Sequence, residues 1–194
     1  MNVMNRRKAI GSLFLMAGAG LASYTGLRFY KLYKTPELGL LQTHKTLIDE
    51  LAETIIPRTH TAGAKDAQVG DFIVTMIRDC TPKKEQNTFL YGLHDVQSYS
   101  RHHFDKPFEQ CDEHARNAVL AHFEQRDQPM NGLVGKVSHK VLGDSFFPIL
   151  KKYTLLGYCT SEVGATQQLA YDYVPGAYHG CLDLQPGQKC WITE

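Results

Sequence analysis

Apolar side chains recur at helical spacing through most of this chain, and prolines cut the recurrence into short lengths. Over 38–56, Leu38, Leu41, Leu47, Ile48, Leu51, Ala52, Ile55 and Ile56 form one stripe, with Lys45, Asp49, Glu50 and Glu53 on the other face. Pro57 stops that helix, because proline disfavours a helical residue before it and donates no amide. Val69, Phe72, Ile73, Met76 and Ile77 predict a second helix ending near Cys80. Thr81-Pro82 predicts the start of a third, with threonine as N-cap and proline at the first helical position. Phe89, Leu90, Leu93, Val96 and Tyr99 carry it to about His103. Pro107 separates a fourth, over 112–126, with Ala115, Val119, Leu120 and Phe123 facing inward. A fifth covers about 144–156 through Phe146, Phe147, Ile149, Leu150 and Tyr153, and a short sixth about 161–169. From Tyr171 onward proline and glycine are dense, which predicts irregular backbone. No long alternating apolar and polar run favours a sheet. The expected class is an all-α bundle of five to six helices with an irregular Pro-, Gly- and Tyr-rich C-terminal tail.

Charge divides the 194-residue chain in two. Residues 1–34 carry Arg6, Arg7, Lys8, Arg28, Lys31 and Lys34 and no acid. Residues 35–194 hold 15 basic and 20 acidic side chains, enough chain for one domain with a sizeable core. A net acidic body argues against a nucleic-acid partner, which needs a basic footprint. The leader pairs Arg6 and Arg7 ahead of a Gly- and Ala-rich, modestly apolar run from Gly11 to Ala22. That is the twin-arginine export pattern, which implies the twin-arginine translocase and a periplasmic destination. Asn5 stands where serine or threonine often precedes the pair. Ala17-Gly18-Ala19 offers a cleavage site, and cleavage after Ala22 is a second option. The apolar stretch Ala9–Leu27 holds 19 residues, on the edge of what spans a bilayer, and Arg28, Phe29, Tyr30, Lys31 and Tyr33 flank it as interfacial residues do. A retained anchor at the inner membrane is therefore the alternative to a cleaved signal.

The body shows little chemistry. Its 9 histidines lack metal-ligand spacing, with no H-E-x-x-H and no two-Cys/two-His pattern. His102-His103 with Asp105 is the densest group, and His94 and His102, roughly two turns apart, are placed to share a helix face. No nucleophile elbow, phosphate loop or dinucleotide fingerprint is present, nor any haem-attachment or iron–sulfur cysteine spacing. Among 5 cysteines, Cys181 and Cys190 enclose Pro186-Gly187, a turn that favours a disulfide between them. Cys80 and Cys111 flank the third helix and form a second candidate pair, which leaves Cys159 as the odd thiol.

Two stretches carry a resemblance. The first runs Leu51-Ala52-Glu53-Thr54-Ile55-Ile56-Pro57-Arg58-Thr59, then Thr61-Ala62-Gly63-Ala64 and the Val69/Phe72/Ile73 helix. The second runs from Leu155 through Gly157-Tyr158-Cys159-Thr160-Ser161-Glu162-Val163-Gly164-Ala165, then Leu169, Tyr171-Asp172, Val174-Pro175-Gly176-Ala177-Tyr178 and Gly180-Cys181. In order and separation they resemble the gluconate 2-dehydrogenase subunit 3 family, the small subunits of membrane-bound, FAD-dependent sugar and polyol dehydrogenases. The resemblance covers about 38–182. Cys159 departs from it where an aromatic is more usual, and Ala62 where proline is common.

What the resemblance implies is a non-catalytic small subunit. Its large partner is a flavoprotein of the glucose–methanol–choline type, which holds the FAD and is exported folded by means of the small subunit's twin-arginine signal. A c-type cytochrome subunit completes some such complexes. No catalytic, cofactor or metal residues carry over.

Read beside this, Gly157-Tyr158 followed by Ser161 and Glu162 predicts a helix end and a new start, with Thr160 or Ser161 as N-cap and Glu162 at the positive end. Gly164 would allow close approach of a backbone. Tyr158 and the tail residues Tyr171, Tyr173, Pro175, Tyr178 and Trp191 form the candidate partner interface, because tyrosine and tryptophan concentrate at interface cores. A tail folded back on its own bundle is the other option. Two further readings stay open: a free-standing periplasmic enzyme using a metal at His94, His102 and His103, and a membrane-tethered structural adaptor.

Overall fold

The computed structural model describes residues 32–128 and 143–174, together with 26, 30, 176, 177, 181 and 183–192. Arg6 and Arg7, both candidate cleavage sites, Pro175 and Tyr178 lie outside these residues. Among the described residues the chain is all-α. Its helices are α1 (Leu40–Thr43), α2 (Lys45–Ile55), α3 (Val69–Thr75), α4 (Lys83–Phe104), α5 (Glu113–Arg126) and α6 (Phe146–Thr160). A π turn, Met76–Cys80, prolongs α3; a 3-10 turn, Phe108–Gln110, follows α4; a second π turn, Gly164–Gln168, follows α6.

Helix α6 is the hub, packing against α2, α3, α4 and α5, while α2 also meets α3 and α5. The expected stripes supply the core. Leu47, Ile48 and Leu51 of α2, Ile73 and Ile77, Phe89, Leu93 and Val96 of α4, Val119 and Phe123 of α5, and Phe146, Ile149 and Leu150 of α6 are all fully buried. Phe146 sits at its centre, its ring 5.4 Å from that of Phe89 and 5.9 Å from that of Phe123. Each large side chain buried this way contributes about 1.5–3 kcal/mol.

Four local expectations need correction. The helix expected over 38–56 is bent at His44 (ψ 13°), where the weak helix formers Thr43, His44 and Thr46 cluster. Thr81 does not cap α4. Its hydroxyl donates to the Met76 carbonyl (2.8 Å) and bonds the Tyr153 hydroxyl (2.9 Å), so it closes the π turn, and Pro82 occupies the flanking position. Helix α6 runs a turn past Leu156, through Gly157, because that glycine serves packing rather than termination. A Cβ there would lie 2.6 Å from the Phe72 ring. Finally, Cys80 and Cys111 sit at opposite ends of α4, whose 22 residues span about 33 Å, so they cannot pair. Cys111 is buried beside the Ser100 hydroxyl (3.1 Å), and Cys80 is exposed.

The fourth helix begins one residue later than expected, at Glu113, because Asp112 caps it, its Oδ1 accepting from the Ala115 amide at 2.9 Å. The structure also draws the end of the leader into the domain. Leu32 is buried, and the fully buried Asn87 of α4 donates to the carbonyls of Leu32 (2.9 Å) and Lys34 (2.8 Å).

Candidate functional site

The two stretches singled out in the sequence meet in space, at Ala62. The Tyr158 hydroxyl of α6 donates to the Ala62 carbonyl (2.7 Å), and the Ala62 amide donates to Oε1 of Gln167 in the second π turn (3.3 Å). Tyr158 is thus an internal strut and not an interface residue: it is 4 % exposed, its ring in the core and its one polar atom spent on the loop. That is the ordinary fate of a buried tyrosine, whose hydroxyl must find a partner.

The loop itself is held by carboxylates. Glu53 accepts from the amides of Arg58 (2.9 Å) and Lys65 (2.8 Å), and Asp66 accepts from the Gly63 amide (3.0 Å). Beside it, Glu50 takes the Lys65 ammonium (2.6 Å) and the Arg116 guanidinium, tying α2 to the loop and to α5. Lys45 bridges Asp49 and Asp71 across α2 and α3. Burial pulls against its ammonium, but the hydrogen bonds and charges of Asp49 and Asp71 outweigh it and raise its pKa.

After α6, Ser161 does what its position predicts. Its Oγ accepts from the Gly164 amide (3.0 Å) and donates to the Tyr158 carbonyl (2.7 Å). Gly164 gives the close approach expected of it: a Cβ would stand 2.0 Å from the Tyr158 carbonyl oxygen. The tail then turns outward and comes partly back. Ala170 pairs with the 190–192 segment through Ala170 N–H to the Cys190 carbonyl (2.9 Å) and Ile192 N–H to the Ala170 carbonyl (3.1 Å). Pro186-Gly187 makes the expected turn, with Gly187 at φ 75°. Cys181 and Cys190 are both exposed free thiols, so the pairing favoured from sequence is not formed.

The aromatic side chains of this tail face solvent. Tyr171 is 48 % exposed, Tyr173 85 % and Trp191 55 %. Val174 and Leu184 are exposed beside them in sequence, as are Leu155 and Leu156 on α6. Isolated apolar residues on a surface are ordinary, and these fall along one tail and the last turns of α6. Leu155, Leu156 and Leu184 were not among the interface candidates, because helical periodicity alone does not say which apolar residues lack a neighbour.

The histidines have other work. His94 and His102 do share a groove on α4, with Gln97, Ser98 and Arg101. His103 and His122 stack on Tyr99 at 3.9 and 4.2 Å, which puts them on opposite faces of one ring, where they cannot share an ion. His103 also spends its Nδ1 on the Tyr99 carbonyl (3.0 Å). Among the described residues no three histidine, cysteine or acidic side chains converge as a metal requires.

A helical domain that leaves an apolar tail uncovered has the form of a component of a larger assembly. The family to which it belongs is specific: residues 42–176 match gluconate 2-dehydrogenase subunit 3, and the chain is a member of that family. This is a family of accessory subunits of dehydrogenase complexes, and membership implies association with other subunits of such a complex. No curated protein and no solved structure matches the chain.

Proposed function

We propose that this chain is the non-catalytic small subunit of a periplasmic, membrane-associated, FAD-dependent sugar or polyol dehydrogenase. It escorts the folded flavoprotein subunit, of the glucose–methanol–choline type, through twin-arginine export and then stabilises it. The observation that carries this reading is the family match across 42–176. The paired Arg6 and Arg7 support the export half, and the exposed Tyr171, Tyr173 and Trp191 support the binding half. In this reading FAD belongs to the partner, and a c-type cytochrome is a further candidate member of the complex.

The test is a substitution of both leader arginines, Arg6→Lys with Arg7→Lys. It is cleaner than removing residues 1–34, because Leu32 and Lys34 are bonded into the body. The double variant is expected to leave the flavoprotein in the cytoplasm. Pulldown of a tagged native chain from the membrane fraction is expected to bring down a large subunit with flavin absorbance. Normal export of the flavoprotein beside the variant would sink the escort role, and a pulldown without flavin would sink the partner.

A further inference from the structure

The clasp at Asn87 fixes where the leader leaves the body. Asn87 lies in the second turn of α4, fully buried, and both hydrogens of its amide nitrogen are spent on the backbone of the leader's last residues, Leu32 (2.9 Å) and Lys34 (2.8 Å). A buried amide so employed holds the chain tightly, since breaking either bond strands a carbonyl or an N–H away from water. The Lys34 amide donates to the Tyr30 carbonyl (3.0 Å), which ties Tyr30 to that point. The Lys34 ammonium lies 6.0 Å from the centre of the Tyr91 ring, one helical turn beyond Asn87.

This sets the geometry of any membrane contact. The 19-residue apolar stretch ends at Leu27, three residues before Tyr30. Three residues reach at most about 11 Å. Helix α4 is about 33 Å long, so its far end at Phe104 is out of reach. A bilayer that holds the apolar stretch therefore lies against the end of the body where α4 begins.

That end has a surface suited to lipid headgroups. Tyr30 is 71 % exposed and Tyr33 49 %, and Lys83, exposed in the first turn of α4, stands one turn before the Asn87 that holds Leu32 and Lys34. Aromatic rings with basic neighbours are the interfacial combination. The ion pairs Lys34–Glu37 and Arg78–Asp79 keep the end close to neutral, so the tyrosines, more than charge, make the contact.

We propose that the α4 N-terminal end of the body, with Tyr30, Tyr33, Lys34 and Lys83, is a membrane-docking face that seats directly on the phospholipid headgroups. The proposal rests on the reading that the leader brings this chain to the membrane.

The experiment uses the full chain reconstituted into phosphatidylglycerol–phosphatidylethanolamine vesicles. Vesicle flotation is followed by acetylation with a water-soluble amine reagent and mass spectrometry. Acetylation of Lys83 is expected to fall about fivefold relative to the same chain in a nonionic detergent, while that of Lys106, past the far end of α4, is unchanged. Flotation with equal acetylation of Lys83 and Lys106 would overturn the docking face and leave membrane attachment standing. Failure to float would overturn both.

Discussion

The loop between α2 and α3 and the C-terminal tail begin from similar compositions and end differently. Both lack regular structure, and both carry glycine, proline and short polar residues. The loop is fixed. Its amides go to Glu53 and Asp66, its Ala64 is buried, and Ala62 is gripped from both sides by Tyr158 and Gln167. The tail is held at its base, where Ala170 pairs with 190–192 and the Lys189 ammonium donates to the Gln167 carbonyl. Among the described residues its further bonds are local, as between Val174 and Asp172 or Gln185 and Gln188. Irregular backbone becomes rigid when side chains of the core supply partners for its amides, and stays at the surface when they do not. In the loop the burial is internal; in the tail the apolar side chains face solvent.

This contrast can be broken at its joint first. Gly164→Ala would drive a Cβ into the Tyr158 carbonyl, moving the π turn that supports both regions, and is expected to cost about 3 kcal/mol in denaturant unfolding. Glu53→Ala removes the carboxylate that holds two solvent-exposed loop amides and should cost about 1 kcal/mol. It should also make 58–67 the first site of limited proteolysis; cleavage that still begins in the tail would count against the loop's rigidity resting on Glu53. Tyr158→Phe keeps the ring in the core and loses only the bond to Ala62, for about 1 kcal/mol.

Alkali should act on the loop side without any substitution. The raised pKa of Lys45 means that its stabilising contribution is complete below the ordinary lysine value and drains away as pH rises through the folded value. Lys45→Met should flatten the loss of thermal stability in that alkaline window. Equal slopes for variant and parent would show that the Asp49 and Asp71 contacts carry no net weight. The smallest stability effect is expected in the tail. Trp191→Ala should shift unfolding by less than about 0.5 kcal/mol, yet weaken association with the flavoprotein about tenfold. The reverse pattern would make the tail a structural part of this domain.

Much of the bundle was legible because its apolar residues repeat at the helical period. The inward faces of α2, α4 and α5 follow directly from that spacing, and Ser161 acts as the cap its position suggests. Polar residues that are buried were not legible. Asn87 and Ser100 sit on core-facing sides of α4, but nothing in their spacing tells a satisfied interior amide or hydroxyl from a surface one. Tyr158 misled for a related reason. Tyrosine suits an interface and a core equally, and only the position of the Ala62 carbonyl decides between them.

The all-α class, the order of the helices, the charge division at the leader and the family are all written in local periodicity, composition or residue order. Tertiary structure decided that Gly157 continues a helix instead of ending it, that Thr81 closes a π turn, and that Cys80 and Cys111 are held a helix length apart. It also decided that the leader's last residues belong to the body, through an asparagine 53 residues beyond the nearer carbonyl it binds. Such outcomes turn on which groups meet across the fold, and a meeting of that kind leaves no periodic trace along the chain.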